Sequence, residues 1–388
     1  MNVLLIIDHI ATGGAERILI DYYHYLEKNR HKIYVFVLSG HEGQSDWTKG
    51  LNVVYGTNSD EDNLIKKSIQ QAHLFFELKR FVKSIQPDVI FSFLEKSNLL
   101  NSLIKTTAVK VMSVHNVLSI QYTKIKSNTV KKILYGIIKK MYNNCSNVIA
   151  VSKQVKDDLK TTFGVKEQNI HVINNYVDRA EIMKLSEEAI NNYKFLEGTK
   201  YIMNVGRFSD QKAQWKLLKA FALFLKNTKE NVCLILMGQG KYSCKLKELA
   251  VNLGISDKTF FLPFNVNPYK YMAHANLFVL SSIFEGFPIV LAEISSLRIP
   301  FVGSRKSIPE EMFDDKKIWE SIIFENTTLN ADFSNTIYED EKVLAKLLKK
   351  GIEDNTFKTQ ILEHTIRWEK YNDKSSQFAL YDKICGIY

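Results

Sequence analysis

The sequence predicts an α/β protein of two successive doubly wound units, each a parallel sheet covered on both faces. Three observations carry that expectation. The 388 residues, 45% hydrophobic and 24% charged, are ordinary for a globular chain and about twice a typical domain in length. Short runs that are apolar throughout alternate with amphipathic stretches, as buried parallel strands joined by helices do. The pattern breaks once, at the polar stretch 178–200, and then restarts.

The elements follow in order. Val3–Asp8 reads as a first buried strand and not as a signal peptide, because no basic leader precedes it and Asp8 ends its apolar run. Lys32–Leu38, Val89–Phe93, Val109–His115 and Val148–Val151 are the next strands, with helices at about 14–29, 69–85, 97–106, 124–143 and 152–162 between and after them. A short strand, His171–Asn174, leads into 178–200, the expected hinge. The second series runs Tyr201–Val205, Val232–Met237, Thr259–Leu262, Leu277–Leu280 and Pro300–Val302, with helices at about 211–227, 241–253, 267–274 and 288–297. From about 338 onward the chain is helical and charged, with aromatics at Trp368, Tyr371, Phe378 and Tyr381. The expected domains are 1–190 and 191–365, with 366–388 a last helix packing back toward the first. Two such units predict a cleft between them.

Cys145, Cys233, Cys244 and Cys385 show neither CxxC pairs nor metal-ligand spacing, and the nine histidines contain no HExxH. A reduced, cytoplasmic protein without structural zinc is expected. No run of about 18 apolar residues is present to span a bilayer. The net charge is +10, and eight lysines with no Asp or Glu fall within residues 101–150. A basic surface of this kind faces nucleic acid, anionic lipid or a phosphorylated substrate, and composition alone does not choose.

Chemistry concentrates in three segments. Phe284-Glu285-Gly286-Phe287-Pro288-Ile289-Val290 follows a strand and opens a helix that carries Glu293. Pro288 suits the first helical position, and the amides of Ile289 and Val290 then stand open to phosphate oxygens. Gly286 lets a ligand approach the backbone. One of Glu285 and Glu293 is placed for a sugar and the other for ribose hydroxyls; a plain strand–turn–helix with two surface acids has the same pattern. Gly206-Arg207 to Lys212 brackets a turn after the strand Tyr201–Val205, where a planar cation and a point charge could converge. Thr12-Gly13-Gly14-Ala15-Glu16-Arg17 opens the first helix without the spacing of a dinucleotide fingerprint, and Gly238-Gln239-Gly240-Lys241 falls short of a P-loop because Ile235 stands where its first glycine belongs. Asp60-Glu61-Asp62 matches D-x-D but lies in a polar stretch, not at a strand end, and reads as a solvated loop.

In this order and spacing the segments resemble glycosyltransferase family 4, retaining enzymes of the GT-B fold, in which two Rossmann-like domains face their parallel sheets across a cleft. Glu285-x7-Glu293 is the signature, and Gly206-Arg207 with Lys212 and Gly13-Gly14-Ala15-Glu16-Arg17 reinforce it over roughly residues 1–305. Leu262-Pro263-Phe264 and Gly303-Ser304-Arg305-Lys306 depart from the family pattern, and 313–337 fits none of it. The resemblance implies that Arg207 and Lys212 neutralise a donor diphosphate, and that Glu285 with the backbone of Gly286 and Phe287 holds the donor sugar. It further implies that Glu293 holds the ribose, and that the amides of Ile289, Val290 and Gly14 line the phosphates beside Gly13, Gly206 and Pro288. His115, in Ser113-Val114-His115-Asn116, is similar to the family's histidine near the transferred sugar, and reads equally as a core histidine at a strand end. No metal or other cofactor is expected, since the departing phosphate itself helps take the acceptor's proton and the protein mainly stabilises charge.

The resemblance implies a nucleotide-diphosphate sugar donor, UDP-linked in the first instance, and a lipid-linked saccharide acceptor in bacterial surface polysaccharide assembly. A soluble or protein acceptor is the alternative, as is a silent scaffold of the same fold, against which the intact Arg207, Lys212, Glu285 and Glu293 argue. Nucleic acid is not an expected partner, because no recognised binding motif accompanies the basic charge. Lys124, Lys126, Lys131, Lys132, Lys139 and Lys140 lie on or beside a basic amphipathic helix, and His73–Ile85 offers a second. Each is placed either to lie on anionic lipid, peripherally on the inner face of the cell membrane, or to turn its apolar side to the sheet.

Overall fold

In the computed structural model residues 1–10, 13–40, 48–57, 64–123, 125–145, 147–191, 193–371 and 373–387 are described, without the side chains of 64–68 and 366–371. Thr12, Lys124 and Asp60-Glu61-Asp62 fall outside the described residues, as do the side chains of Trp368 and Tyr371. Two compact units form, Met1–Asn175 with Ser375–Tyr388, and Tyr176–Lys374. The sequence placed these divisions at 190/191 and 365/366.

Among its described residues the first unit has a seven-stranded parallel sheet: β1 (Asn2–Ile7), β2 (Lys32–Val37), β3 (Val53–Tyr55), β4 (Val89–Phe93), β5 (Val109–Val114), β6 (Asn147–Ala150) and β7 (Ile170–Val172), in the order β3-β2-β1-β4-β5-β6-β7. Its helices are α1 (Gly14–Lys28), α2 (Leu64–Ile85), α3 (Glu95–Leu103), α4 (Leu118–Gln121), α5 (Asn128–Asn143) and α6 (Lys153–Thr161). The strands that are apolar throughout are buried on both faces, Val3 to Ile7 being fully enclosed. Leu4, Ile6 and Ile90 pack with Leu74, Leu78 and Val82 of α2 on one face. The alternation of a strand turns Phe91 to the other face, where Tyr22 of α1 meets it edge-on at 5.9 Å. β3 has only three residues, too few to show a period in the sequence.

The second unit has, again among described residues, a parallel sheet of six strands: β8 (Lys200–Val205), β9 (Val232–Met237), β10 (Thr259–Leu262), β11 (Leu277–Leu280), β12 (Phe301–Ser304) and β13 (Ile323–Phe324), in the order β10-β9-β8-β11-β12-β13. Its helices are α7 (Arg179–Ser186), α8 (Gln214–Leu225), α9 (Ser243–Asn252), α10 (Tyr269–Met272), α11 (Ile289–Ser296), α12 (Lys316–Ser321), α13 (Glu339–Glu353) and α14 (Asn355–Tyr371). The stretch read as a hinge therefore contains a helix, α7, begun by Asp178, whose side chain accepts from Glu181 N at 3.1 Å, and seated by the buried Ile182. α15 (Lys374–Cys385) packs on the first unit, where Asp382 accepts from Tyr22 and Tyr25 hydroxyls at 2.8 Å each.

Both sheets reverse their winding once, between β1 and β4 and between β8 and β11. Chain leaving the carboxyl ends of two such strands diverges, and the crevice between them is where α/β sheets bind ligands.

Candidate active site

In the second unit the reversal brings the segment after β8 beside the segment after β11. Ile283 N donates to Gln211 O at 2.7 Å, and Ser281 Oγ to Lys212 O at 2.8 Å. These bonds bring Lys212 Nζ to 2.7 Å from Glu285 Oε1, with the two side chains 20% and 10% exposed. Gln211 Nε2 donates to Phe284 O at 3.1 Å and to Glu285 Oε2 at 3.3 Å. Each carboxylate oxygen of Glu285 thus has a donor, as a charge mostly removed from water requires.

Buried amides lock the strand end beneath. Asn204 Nδ2 donates to Val279 O at 2.8 Å, and Gln214 Nε2 to Arg207 O at 3.1 Å and Asn204 Oδ1 at 3.3 Å. Ala213, at φ +48°, turns the chain before α8, so the helix starts at Gln214 and not at 211 as the sequence suggested. Gly238 and Gly240 back the Arg207 loop. Gly206 N and Phe208 N donate to Met237 O and Gln239 O at 3.0 Å, and a Cβ on Gly238 would stand 2.1 Å from Gly206 O. The incomplete P-loop of the sequence is therefore a close backbone crossing. Arg207 is exposed and without an ion pair among the described residues; with Asp210, Gln211 and Gly240 it borders an open hollow of about 370 Å³.

α11 begins at Ile289, with Pro288 one place earlier than the sequence set it, as the capping residue. No side chain caps this end, and Leu291 N closes on Pro288 O at 3.0 Å, which leaves the amides of Ile289 and Val290 foremost. Gly286 and Phe287 are buried beside it. Glu293, 8% exposed, accepts from the Tyr269 hydroxyl at 2.8 Å. Tyr269 comes from α10, and nothing in the sequence marked it as a partner. Gln211 and Gln214 were likewise unmarked, since an amide's role appears only once the strand it bonds is known.

In the first unit Gly13 is the capping residue of α1, and the buried Glu16 folds over it: a Cβ there would lie 2.3 Å from Glu16 Oε2. Gly14, the first residue of the helix, thus stands at an end already faced by a carboxylate. His115 follows β5, with its ring stacked on Phe93 at 5.9 Å; its Nε2 is enclosed without a partner, and burial pushes its imidazole down to about 4. Lys131, Lys132, Lys139 and Lys140 lie on α5 and Lys126 just before it. α5 buries Ile138, Met141 and Tyr142, yet leaves Val130, Ile133 and Ile137 at 52%, 60% and 46% exposure. The second lipid-facing candidate, His73–Ile85, belongs to α2 and turns Leu74, Leu78 and Val82 into the core. No helix among the described residues is long and apolar enough to cross a membrane.

Comparison with known proteins places this geometry. Residues 12–181 match the family model for Glycosyltransferase Family 4, and residues 185–354 that for Glycosyl transferases group 1. The chain is 26% identical over 287 residues to the N-acetylgalactosamine-N,N'-diacetylbacillosaminyl-diphospho-undecaprenol 4-alpha-N-acetylgalactosaminyltransferase of Campylobacter jejuni, covering 73% of this chain and 75% of that one. It is 24% identical over 372 residues to the GalNAc-alpha-(1->4)-GalNAc-alpha-(1->3)-diNAcBac-PP-undecaprenol alpha-1,4-N-acetyl-D-galactosaminyltransferase of the same organism, covering 94% and 92%. The crystal structure of Anabaena Alr3699/HepE in complex with UDP is similar in fold along the full length of both chains, with a TM-score of 0.74 at 18% identity.

Proposed function

The chain belongs to the glycosyltransferases, its first unit of family 4, its second of group 1, and its fold GT-B, and on that premise we propose that it is a retaining hexosyltransferase moving a sugar from a nucleoside-diphosphate donor to a lipid-linked glycan. The Lys212–Glu285 pair at the β8/β11 reversal, beside an unpaired Arg207 and the uncapped end of α11, carries the reading. In the reaction the bond from the sugar's C1 to the diphosphate oxygen breaks, C1 bonds to the acceptor oxygen, and the acceptor's proton passes to the departing phosphate. Arg207 and Lys212 offset the charge gathering on that phosphate, so no metal is needed. The amides of Ile289 and Val290 line its oxygens. Glu285, Gly286 and Phe287 hold the sugar, and Glu293 the ribose under the hold of Tyr269.

A UDP donor is supported by the ligand of the Anabaena structure, and an undecaprenyl-diphosphate acceptor by the names of both Campylobacter enzymes. Such an acceptor belongs to bacterial surface polysaccharide assembly, on the inner face of the cell membrane. α5 supplies the means of docking. Each lysine near an anionic surface contributes about 1 kcal/mol, and Val130, Ile133 and Ile137, at i, i+3 and i+7, form an exposed apolar row that can enter the interface. Proton NMR of the anomeric signal tests the reaction. An α-linked nucleotide sugar is expected to yield an α-linked product, and a β-linked product would remove the retaining assignment.

A further inference from the structure

The first unit has its own crevice where its sheet reverses, beyond the carboxyl ends of β1 and β4. Asp8, just after β1, spends both oxygens on the start of α3. Oδ1 accepts from Ser97 N at 2.7 Å and Ser97 Oγ at 2.6 Å, and Oδ2 from Lys96 N at 3.4 Å. Glu95, the first residue of α3, is half-buried, yet its Oε1 is enclosed with no hydrogen-bond partner among the described residues. Leu94 before it holds φ +74° and ψ 164°, a conformation that belongs to glycine.

An enclosed carboxylate oxygen without a donor and a left-handed leucine each cost stability. A carboxylate that merely capped α3 would be redundant, because Asp8 already does so. The seat is nonetheless rigid. Ser92 Oγ donates to Asn98 Oδ1 at 2.7 Å, Asn98 Nδ2 to Ser113 O at 2.9 Å and to the Tyr142 hydroxyl at 3.2 Å, and Asn101 Nδ2 to Ser92 Oγ at 3.0 Å. This buried network ties α3 to β4, β5 and α5, so the backbone that carries Glu95 is held in a fixed place. Glu95 also stands to the β1/β4 reversal as Glu285 stands to the β8/β11 reversal, on the chain leaving the later strand.

We infer that Glu95 binds the acceptor: its carboxylate accepts a hydrogen bond from a hydroxyl of the incoming sugar. The inference rests on the glycosyl-transfer reading above. A second carboxylate, Asp8, adjoins it, so the crevice suits a neutral hydroxyl and repels the acceptor's own diphosphate. Burial and then the charge of Asp8 push the Glu95 carboxyl up to about 7. The other ionisable groups about it are Tyr122, after α4, and Tyr142 of α5, with His115 at the end of the neighbouring β5. The ionised form is the stronger acceptor, so acceptor use should climb as pH rises through about 7.

The test uses the full chain with a saturating UDP-sugar and four octyl glycosides: glucoside, galactoside, N-acetylglucosaminide and N-acetylgalactosaminide. Glu95→Gln is expected to raise the acceptor KM at least tenfold, to leave the donor KM and the UDP-induced rise in Tm unchanged, and to abolish the acid limb near pH 7. Glu95→Asp should restore part of the acceptor affinity. An unchanged acceptor KM in Glu95→Gln, or the same acid limb without the carboxyl, would overturn the assignment while leaving glycosyl transfer intact. A wild-type chain that binds UDP yet transfers neither to any of the four nor to an undecaprenyl-diphosphate-linked saccharide would remove the transfer reading, and the inference with it.

Discussion

Arg207 and Lys212 differ in their surroundings, and the difference is testable. In the proposed transfer, losing either removes a donor to the developing phosphate charge, so Arg207→Ala and Lys212→Ala should each lower turnover by about 10²–10³. Lys212→Ala also strands Glu285, which is 10% exposed, and should cost on the order of 1–3 kcal/mol of stability. Arg207→Ala, exposed and unpaired, should stay within about 0.5 kcal/mol of the parent. Chemical denaturation of the two variants separates these outcomes, and equal stability losses would contradict the pairing. Glycines divide in the same way. Gly254 has φ +68° with open space around it, so alanine there should cost only about 1 kcal/mol. Gly238→Ala meets backbone at 2.1 Å and should cost more, with loss of donor binding, because the Arg207 loop must move. Protonation gives a third contrast. Glu95, raised to about 7, contributes stability that is lost as pH climbs from its unfolded value toward 7. His115, lowered to about 4, contributes stability that is lost as pH falls from about 6.5 toward 4. Glu95→Gln should therefore leave a Tm that rises more steeply with pH between about 5 and 7 than the parent's.

At the scale of elements, α8 has two charged side chains in the core. Lys216 and Lys219 are both fully buried. Lys216 pairs with the enclosed Asp340 of α13, and Lys219 with Asp332 at 2.7 Å. Burial opposes ionisation of Asp332, but hydrogen bonds from Lys219 and Ser334 outweigh it and hold the carboxyl at about 2. Its folded value is depressed, so its stabilisation is present above pH 4 and lost as pH falls toward 2. Asp340→Asn alone should cost about 3–5 kcal/mol by leaving Lys216 charged and unpaired, whereas Lys216→Met with Asp340→Leu should be near neutral. A denaturation series that finds the double variant as damaged as the single one would show that the pair is needed for packing. α5 carries the membrane prediction. Replacing Lys131, Lys132, Lys139 and Lys140 by Glu should abolish sedimentation with anionic vesicles and leave turnover on a detergent-soluble acceptor. Replacing Val130, Ile133 and Ile137 by Ser should weaken sedimentation in a manner that low salt does not rescue. Equal binding of the parent to neutral vesicles would assign the lysines to solvent.

Across the whole molecule each unit has its own core, so heating should reveal two transitions. UDP at about 100 times its Kd should raise one of them by the equivalent of about 2.7 kcal/mol. Removing residues 374–388 should lower the other, since Phe378 and Tyr381 are fully buried against Tyr22 and Phe91, and each such side chain contributes about 1.5–3 kcal/mol. Calorimetry would show both shifts, and a single transition moved equally by both changes would contradict separate cores. The sequence by itself determined the two parallel sheets, because a strand buried on both faces must be largely apolar, as β1, β4 and β8 are and as β9 and β11 are throughout. It also marked Arg207, Lys212 and Glu285 as residues at strand ends, while the meeting of Lys212 with Glu285 depends on the pairing of β8 with β11. Tertiary structure alone decided which side chains meet across elements. Tyr269 on Glu293, Asp340 on Lys216, Asp8 on the start of α3 and Asp382 on Tyr22 join residues far apart in the chain. A polar side chain's partner is set by where two elements pack, and local periodicity holds no record of that.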